Sequence, residues 1–225
     1  MKLSIMQPYF FPYIGYFQLI NSTDKFVFYD DVNYIKNGWI NRNRIMANKD
    51  IKYLTVHTNN ASSNNKINKV GLNKSNVWKR KMKDTIFFNY KKSKFFEEGF
   101  QIFENVLKLD TDNLSELSKF SVINVCNYLD IGTQIEYTSE VFNNQHLSGE
   151  KRVIDVCKKN NADTYINAIG GKSLYDKERF LNDNIQLKFI RKVVEFDNSN
   201  LSILHLLMTY SKQDIQNFLN GYVVE

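Results

Sequence analysis

Lys2-Leu3-Ser4-Ile5-Met6 runs into Gln7-Pro8-Tyr9-Phe10-Phe11-Pro12-Tyr13-Ile14-Gly15-Tyr16, and the chain then passes through Phe17 to Asn21 into Lys25-Phe26-Val27-Phe28-Tyr29-Asp30-Asp31. The two short apolar runs, each stopped by polar residues, read as buried strands. Between them Ile14, Phe17 and Ile20 fall at helical spacing, from Tyr13 to Asn21. Strand, loop, helix, strand is a βαβ unit, and such units build parallel sheets. The expected fold class is α/β with a parallel-sheet, Rossmann-like core.

The rest of the chain extends that core. Ile51 to Thr58 alternates as a third strand, and Asn59 to Lys69 has neither periodicity nor apolar content, so it reads as a loop with room to move. From about residue 74 to 130 the pattern is helical, in three segments: Val77 to Tyr90, Lys94 to Leu109 and Leu114 to Leu129. This block reads as a helical insertion. The α/β rhythm returns with strands at Gln134 to Tyr137, Thr164 to Ala168 and Gln186 to Ile190, and a helix at Gly149 to Lys159. Helices at Leu201 to Tyr210 and Gln213 to Leu219 close the chain. With no repeat and no low-complexity linker, residues 1–225 are expected to form a single α/β domain, long enough to bury roughly 70% of the unfolded surface.

A net charge of +6 favours acidic partners, a class that holds nucleic acids, anionic lipid surfaces and nucleotide-linked sugars. The lysines read as scattered among asparagines, as on a solvated surface, and no nucleic-acid partner is expected. Cys126 and Cys157 sit in apolar helical patterns at no metal spacing, so both read as buried, reduced thiols and no metal is assigned. No leader and no apolar run near the ~20 residues of a membrane span is present, which places the expected location in the cytoplasm.

Both prolines of the chain, Pro8 and Pro12, fall in the loop after the first strand. They stiffen a loop at the carboxyl end of a strand, the edge where open α/β sheets bind ligands. Gly15 then allows close approach at a helix N-terminus, which favours anions. Tyr9, Tyr13 and Tyr16 carry hydroxyls that need partners, whereas Phe10 and Phe11 suit core packing equally well. Asp30 and Asp31 end the second strand beside this loop, as a metal ligand, general base or sugar-hydroxyl anchor would. Arg42 offers a forked cation for phosphate or carboxylate, and Trp39 and Tyr34 offer stacking surfaces; the alternative is a surface hairpin with an Asp–Arg ion pair. His146, just before a helix, is a candidate base for an amine nucleophile, while His205 in an apolar helix reads as core. Gly170-Gly171-Lys172-Ser173 follows a strand but lacks the first glycine of a Walker A loop, since Ile166 stands there. A simpler anion-binding turn or a flexible active-site loop survives.

Taken together, Gln7-Pro8-Tyr9, Pro12, Gly15-Tyr16, Asp30-Asp31, Tyr34 and Trp39 with Asn41-Arg42-Asn43 resemble the WbqC-like protein family. The likeness continues through Trp78, Tyr90-Lys91, Arg152 to Tyr165, Gly170-Gly171-Lys172, Tyr175-Asp176 and Leu201-Ser202-Ile203. Asn167-Ala168 departs from the family's usual serine-glycine, and His205 from its aspartate. The resemblance implies a part in O-antigen or related surface-polysaccharide biosynthesis, as a transferase moving an aminoacyl (glycyl) or acyl group onto a nucleotide-linked amino sugar. On that reading the catalytic candidates are Asp30, Asp31 and His146. The substrate-binding candidates are Gln7, Tyr9, Tyr13, Gly15, Tyr16, Tyr34, Trp39, Asn41, Arg42, Asn43, Gly170, Gly171, Lys172 and Tyr175. The donor is open among a coenzyme A thioester, an acyl- or aminoacyl-carrier protein thioester and an ATP-activated group. Two alternatives stand beside it. One is a non-catalytic sugar-nucleotide or glycan-binding partner of another enzyme. The other is a divergent nucleotidylyltransferase-like enzyme, whose N-terminal half the strand, proline loop and helix resemble although tyrosines or apolar residues hold the signature histidine places.

Overall fold

The computed structural model describes residues 1–193 and 198–225. The first half runs β1 (Lys2–Met6), α1 (Ile14–Asn21), β2 (Lys25–Phe28), β3 (Arg42–Ala47), β4 (Asp50–Thr55), β5 (Thr58–Asn59) and β6 (Gly71–Leu72). A helical block follows, α2 (Val77–Tyr90), α3 (Phe96–Leu107) and α4 (Leu114–Tyr128). The second half is β7 (Gln134–Glu136), α5 (Gly149–Lys159), β8 (Thr164–Ala168), α6 (Lys177–Asn182), β9 (Gln186–Lys192), α7 (Ile203–Thr209), α8 (Lys212–Leu219) and β10 (Tyr222–Val224).

The central sheet has the order β10-β9-β8-β1-β2-β7, parallel throughout except for β10, which pairs antiparallel with β9. Strand alternation sorts its side chains to two covered faces. Leu3, Ile5, Val27, Tyr165, Leu187 and Phe189 pack with Val153, Val156 and Cys157 of α5 and Phe180 of α6. Phe26 and Phe28 face the other way, onto Ile14, Phe17 and Ile20 of α1 and the helical block. This is the Rossmann-like α/β architecture that the opening βαβ unit implies, and the helical block arises where expected. Both cysteines are buried, and burial pushes each thiol up to about 12.

Two expectations about the first half need correction. Ile51 to Thr58 does not extend the sheet as a third strand; β4 pairs antiparallel with β3 in a separate hairpin, closed by Asn48 and Lys49 at φ 54° and 66°. Two consecutive positive-φ residues are the geometry a two-residue hairpin needs, and Asn tolerates it. Alternation revealed the strand, but the choice of partner belonged to the turn. The stretch from Asn59 to Lys69 is not a free loop either. It begins in β5 and ends in a 3-10 turn at Ile67–Lys69, and its backbone bonds into the residues after β2: Asn65 O accepts from Tyr34 N (2.8 Å), Ile67 N donates to Val32 O (2.9 Å) and Asn68 N to Asp30 O (3.0 Å).

The sheet also contains a switch point. The chain steps from β1 to β2 and β7 on one side, then returns to place β8 and β9 on the other. β1 pairs with β2 at four positions but with β8 only at Lys2–Thr164 and Leu3–Tyr165, so β1 and β8 part toward their carboxyl ends. Such a parting is where doubly wound sheets admit ligands.

Candidate functional site

The loop leaving β1 is strained and firmly held. Phe11 has φ 40°, a region costly for a bulky aromatic residue. Its N–H donates to Ser121 Oγ (2.9 Å), and its carbonyl accepts from Asn43 Nδ2 (3.0 Å) and Ser202 Oγ (2.7 Å). Phe10 and Phe11 are fully buried. Tyr16 is buried too, donating its hydroxyl to Gln7 O at 2.8 Å, with the Tyr9 ring 5.5 Å away. Burial pushes the Tyr9 hydroxyl up to about 12 and that of Tyr16 well above its usual value. Tyr13, 36% exposed, bends back across the first turn of α1. A Cβ on Gly15 would stand 2.4 Å from its ring. Gly15 therefore serves the placement of Tyr13.

Facing Tyr13 is the turn into β3. Tyr34 donates to Asn41 Oδ1 (2.8 Å) and Asn41 Nδ2 to Val56 O (2.9 Å), so both fix the turn internally, as Asn43 fixes Phe11. Arg42 is occupied by its own turn: Nε donates to Gly38 O (3.2 Å), Nη2 to Asn37 O, and the guanidinium lies 4.4 Å from the Tyr53 ring centre. It makes no ion pair with Asp30 or Asp31. Arg44, two residues on, behaves differently. Its guanidinium stacks 5.1 Å from the Trp39 ring and Nη2 donates to Asn200 O (3.0 Å), while Nε is buried with no hydrogen-bond partner. Tyr13, Trp39 (39% exposed), Asn43, Arg44 and Asn200 line an open cavity of about 260 Å³. A buried guanidinium N–H against the Trp39 ring is a donor lacking an acceptor.

The aspartates form a second centre. Both are buried, and each holds a cation: Asp30 Oδ2 meets Lys119 Nζ at 2.6 Å, and Asp31 Oδ2 meets Arg152 Nη2 at 2.5 Å. Asp30 Oδ1 accepts from Thr138 Oγ1 (2.8 Å) and Ser139 N (3.2 Å), and Asp31 Oδ1 accepts from Ser139 Oγ. Arg152 also donates Nε to Asn144 Oδ1 (2.8 Å) and lies over the Tyr29 ring at 4.9 Å. Beside Asp30 opens a cavity of about 270 Å³ whose wall includes Lys119, Ser115, Glu116, Tyr137 and Asn68. Asn68 Oδ1 is buried without a partner.

One helix ties the two centres together. Asn113 caps α4 by accepting from Glu116 N, which sets the register of a polar stripe down its buried side. Ser115 and Lys119 reach Asp30, Ser118 Oγ donates to Ile40 O (3.2 Å) at the turn before β3, and Ser121 holds Phe11. Sequence reasoning missed this stripe because the apolar periodicity of α4 dominated it. Ser115, Ser118 and Lys119 at i, i+3 and i+4 were the available signal. Arg152 entered only as part of the family likeness, with no role attached, and Thr138 and Ser139 carried no local signal.

The remaining candidates stand apart from the aspartates. His146 is exposed in the turn before α5 and bonds neither of them. Gly170, Gly171 and Lys172 lie in a 3-10 turn (Ile169–Leu174) just past the carboxyl end of β8, across the parting from the Gln7 loop, with Lys172 exposed. A Cβ on Gly171 would come within 2.9 Å of the Asn167 amide, while Gly170 has open space. Tyr175 packs against Tyr165 (5.7 Å) and Phe180 (5.8 Å).

Residues 7–217 match the model of the WbqC-like protein family, nearly the whole chain. An uncharacterized protein of Mycobacterium tuberculosis, Rv1507c, is 28% identical over 181 residues, which cover 80% of this chain and 77% of that protein. No solved structure matches the chain significantly.

Proposed function

The chain belongs to the WbqC-like protein family, and from that premise we propose that it is a transferase of surface-polysaccharide biosynthesis that binds a nucleotide-linked amino sugar and acylates or aminoacylates its amine. The observation that carries this reading is the open cavity lined by Tyr13, Trp39 and Arg44, whose guanidinium keeps a buried Nε without a hydrogen-bond partner. A sugar diphosphate pairs with the charge of the Arg44 guanidinium at the cavity wall, and the aromatic walls stack on a sugar or base. The anion-binding role first assigned to Arg42 passes to Arg44, because Arg42 is consumed by its own turn.

In the chemical step the amine nitrogen bonds to the acyl carbon, the bond from that carbon to the leaving thiol or phosphate breaks, and the amine proton departs with the leaving group. Asp30 and Lys119 form the charged wall of the second cavity and orient the amine; Asp31, held by Arg152 and Ser139, fixes the backbone beneath them. Mass-spectrometric detection of product from UDP-, dTDP- or GDP-linked amino sugars with acyl or aminoacyl thioesters, or with ATP and an amino acid, tests the reading. Acylated sugar nucleotide is the expected product.

A non-catalytic binder is the second reading, favoured by one observation: the oxygens of both aspartates are already met by protein donors. Asp30→Asn separates the two, since an enzyme loses turnover while a binder keeps its affinity for the sugar nucleotide.

A further inference from the structure

The basic surplus of the chain is not scattered. From Lys74 to Lys94 stand eight basic residues, Lys74, Lys79, Arg80, Lys81, Lys83, Lys91, Lys92 and Lys94, against one acid, Asp84. That surplus of seven accounts for the net charge of +6 by itself, and the rest of the chain is close to neutral. All of it lies on α2 and its flanks. Trp78, Met82, Ile86 and Tyr90, four apart, bury one side of this helix. The outward side carries Arg80, Lys81, Asp84, Phe87 and Phe88, with Lys91 and Lys92 just beyond.

Two phenylalanines stand in that basic field. Phe88 is 69% exposed and Phe87 41% exposed, their rings 5.7 Å apart, and Lys91 Nζ lies 5.4 Å from each ring centre. Phe87 also leans on Phe96 and Phe100 of α3, so the pair is held out by packing. Phenylalanine has no polar tip, and leaving one in water is unfavourable. Beside Phe88 opens a cavity of about 300 Å³ lined also by Asn48, Lys49, Ser93 and His205, polar groups suited to a phosphate-bearing headgroup.

We propose that the outward face of α2 docks the protein on an anionic phospholipid surface, with Phe88 and Phe87 entering the boundary between headgroups and acyl chains. Lys91, Lys92, Lys94, Lys81 and Arg80 meet lipid phosphates. Charge complementarity and the apolar wedge favour this occupant together: the cations supply long-range attraction, and the phenylalanines supply the apolar area that interfacial attachment requires. Seven of the eight cations are lysines, which act as point charges on a diffuse anionic surface rather than as forked readers of a defined partner. Attachment is peripheral, since no helix among the described residues is long and apolar enough to cross a membrane. The inference is independent of the transferase reading, because it rests on a different helix and other residues.

The test is vesicle flotation of the full chain with phosphatidylcholine alone, with phosphatidylcholine containing phosphatidylglycerol, and with a single-stranded oligonucleotide as competitor. Flotation with anionic vesicles only is expected, weakening as salt rises. Phe88→Ser and, separately, Lys91→Glu with Lys92→Glu should each lower partitioning by about tenfold or more. Phe88 is exposed, so its variant should fold, and an unchanged circular dichroism spectrum checks this. Equal binding to neutral vesicles, full retention by both variants, or oligonucleotide binding that displaces the vesicles and survives Phe88→Ser would each overturn the proposal.

Discussion

The aspartate centre and the Tyr13–Trp39–Arg44 cavity lie at the ends of neighbouring loops, and one helix, α4, braces both, yet they are built on opposite plans. Around Asp30 and Asp31 every charge has its counter-charge within 2.6 Å, and serine, threonine and backbone donors fill the remaining carboxylate positions. Around Arg44 a charged donor is left over and two large rings stand partly in solvent, whereas the one orphan beside Asp30 is a neutral amide oxygen, Asn68 Oδ1. A saturated network rigidifies what surrounds it, whereas a buried donor without a partner carries a free-energy cost that an acceptor relieves. On the proposed reading the two divide the work: Asp31 with Arg152 and Ser139 fixes the loops, Asp30 and Lys119 wall the acceptor cavity, and the arginine cavity takes the anionic part of the substrate.

Mutation sharpens the contrast. Removing one partner of a buried pair leaves an uncompensated charge, so Lys119→Ala or Arg152→Ala should each cost about 3–5 kcal/mol of stability in denaturant titrations. A loss below about 1 kcal/mol would place these pairs on the flexible side of the comparison. Asn43→Ala takes one of its two donors from the carbonyl of Phe11 and should cost about 1–3 kcal/mol, read the same way. His205 supplies a smaller, pH-dependent effect. Burial lowers its pKa from the usual 6.5, so the folded state resists its protonation. Its contribution is therefore complete above pH 6.5 and declines as pH falls from there toward the lower folded value. In thermal melts across that window, His205→Gln should lose less stability on acidification than the wild type does; parallel curves would contradict this. Arg44→Met should leave stability within about 0.5 kcal/mol of wild type, or raise it, because an orphaned donor disappears.

The sheet was legible where local pattern decides structure. Leu3 and Ile5, Val27, and the Ile14–Phe17–Ile20 spacing dictate strand and helix with no knowledge of partners. The β3–β4 hairpin was not legible as such, because alternation in Ile51 to Thr58 says nothing about which strand it joins, and Asn48-Lys49 is a weaker turn signal than Asn-Gly. The choice between Arg42 and Arg44 was equally hidden. They share one face of β3, and only the path of the Asn37–Gly38 turn gives Arg42 carbonyls to bind. Lys119 and Arg152 meet their aspartates across 89 and 121 residues of chain, a separation that no spacing rule reaches. Asp30 and Asp31 stood out because carboxylates just past the end of a strand suggest chemistry, and Tyr13 and Trp39 because aromatic residues in the neighbouring loops offer hydroxyl and stacking groups. The face each presents was a matter of tertiary structure.

Titration calorimetry of UDP-, dTDP- and GDP-linked amino sugars into wild type and Arg44→Ala measures directly whether the arginine cavity holds the ligand. At least one sugar nucleotide should bind the wild type, and Arg44→Ala should weaken that binding by tenfold or more, about 1.4 kcal/mol, at an unchanged melting temperature. Equal affinity in the two proteins would contradict this and take the ligand away from the arginine cavity.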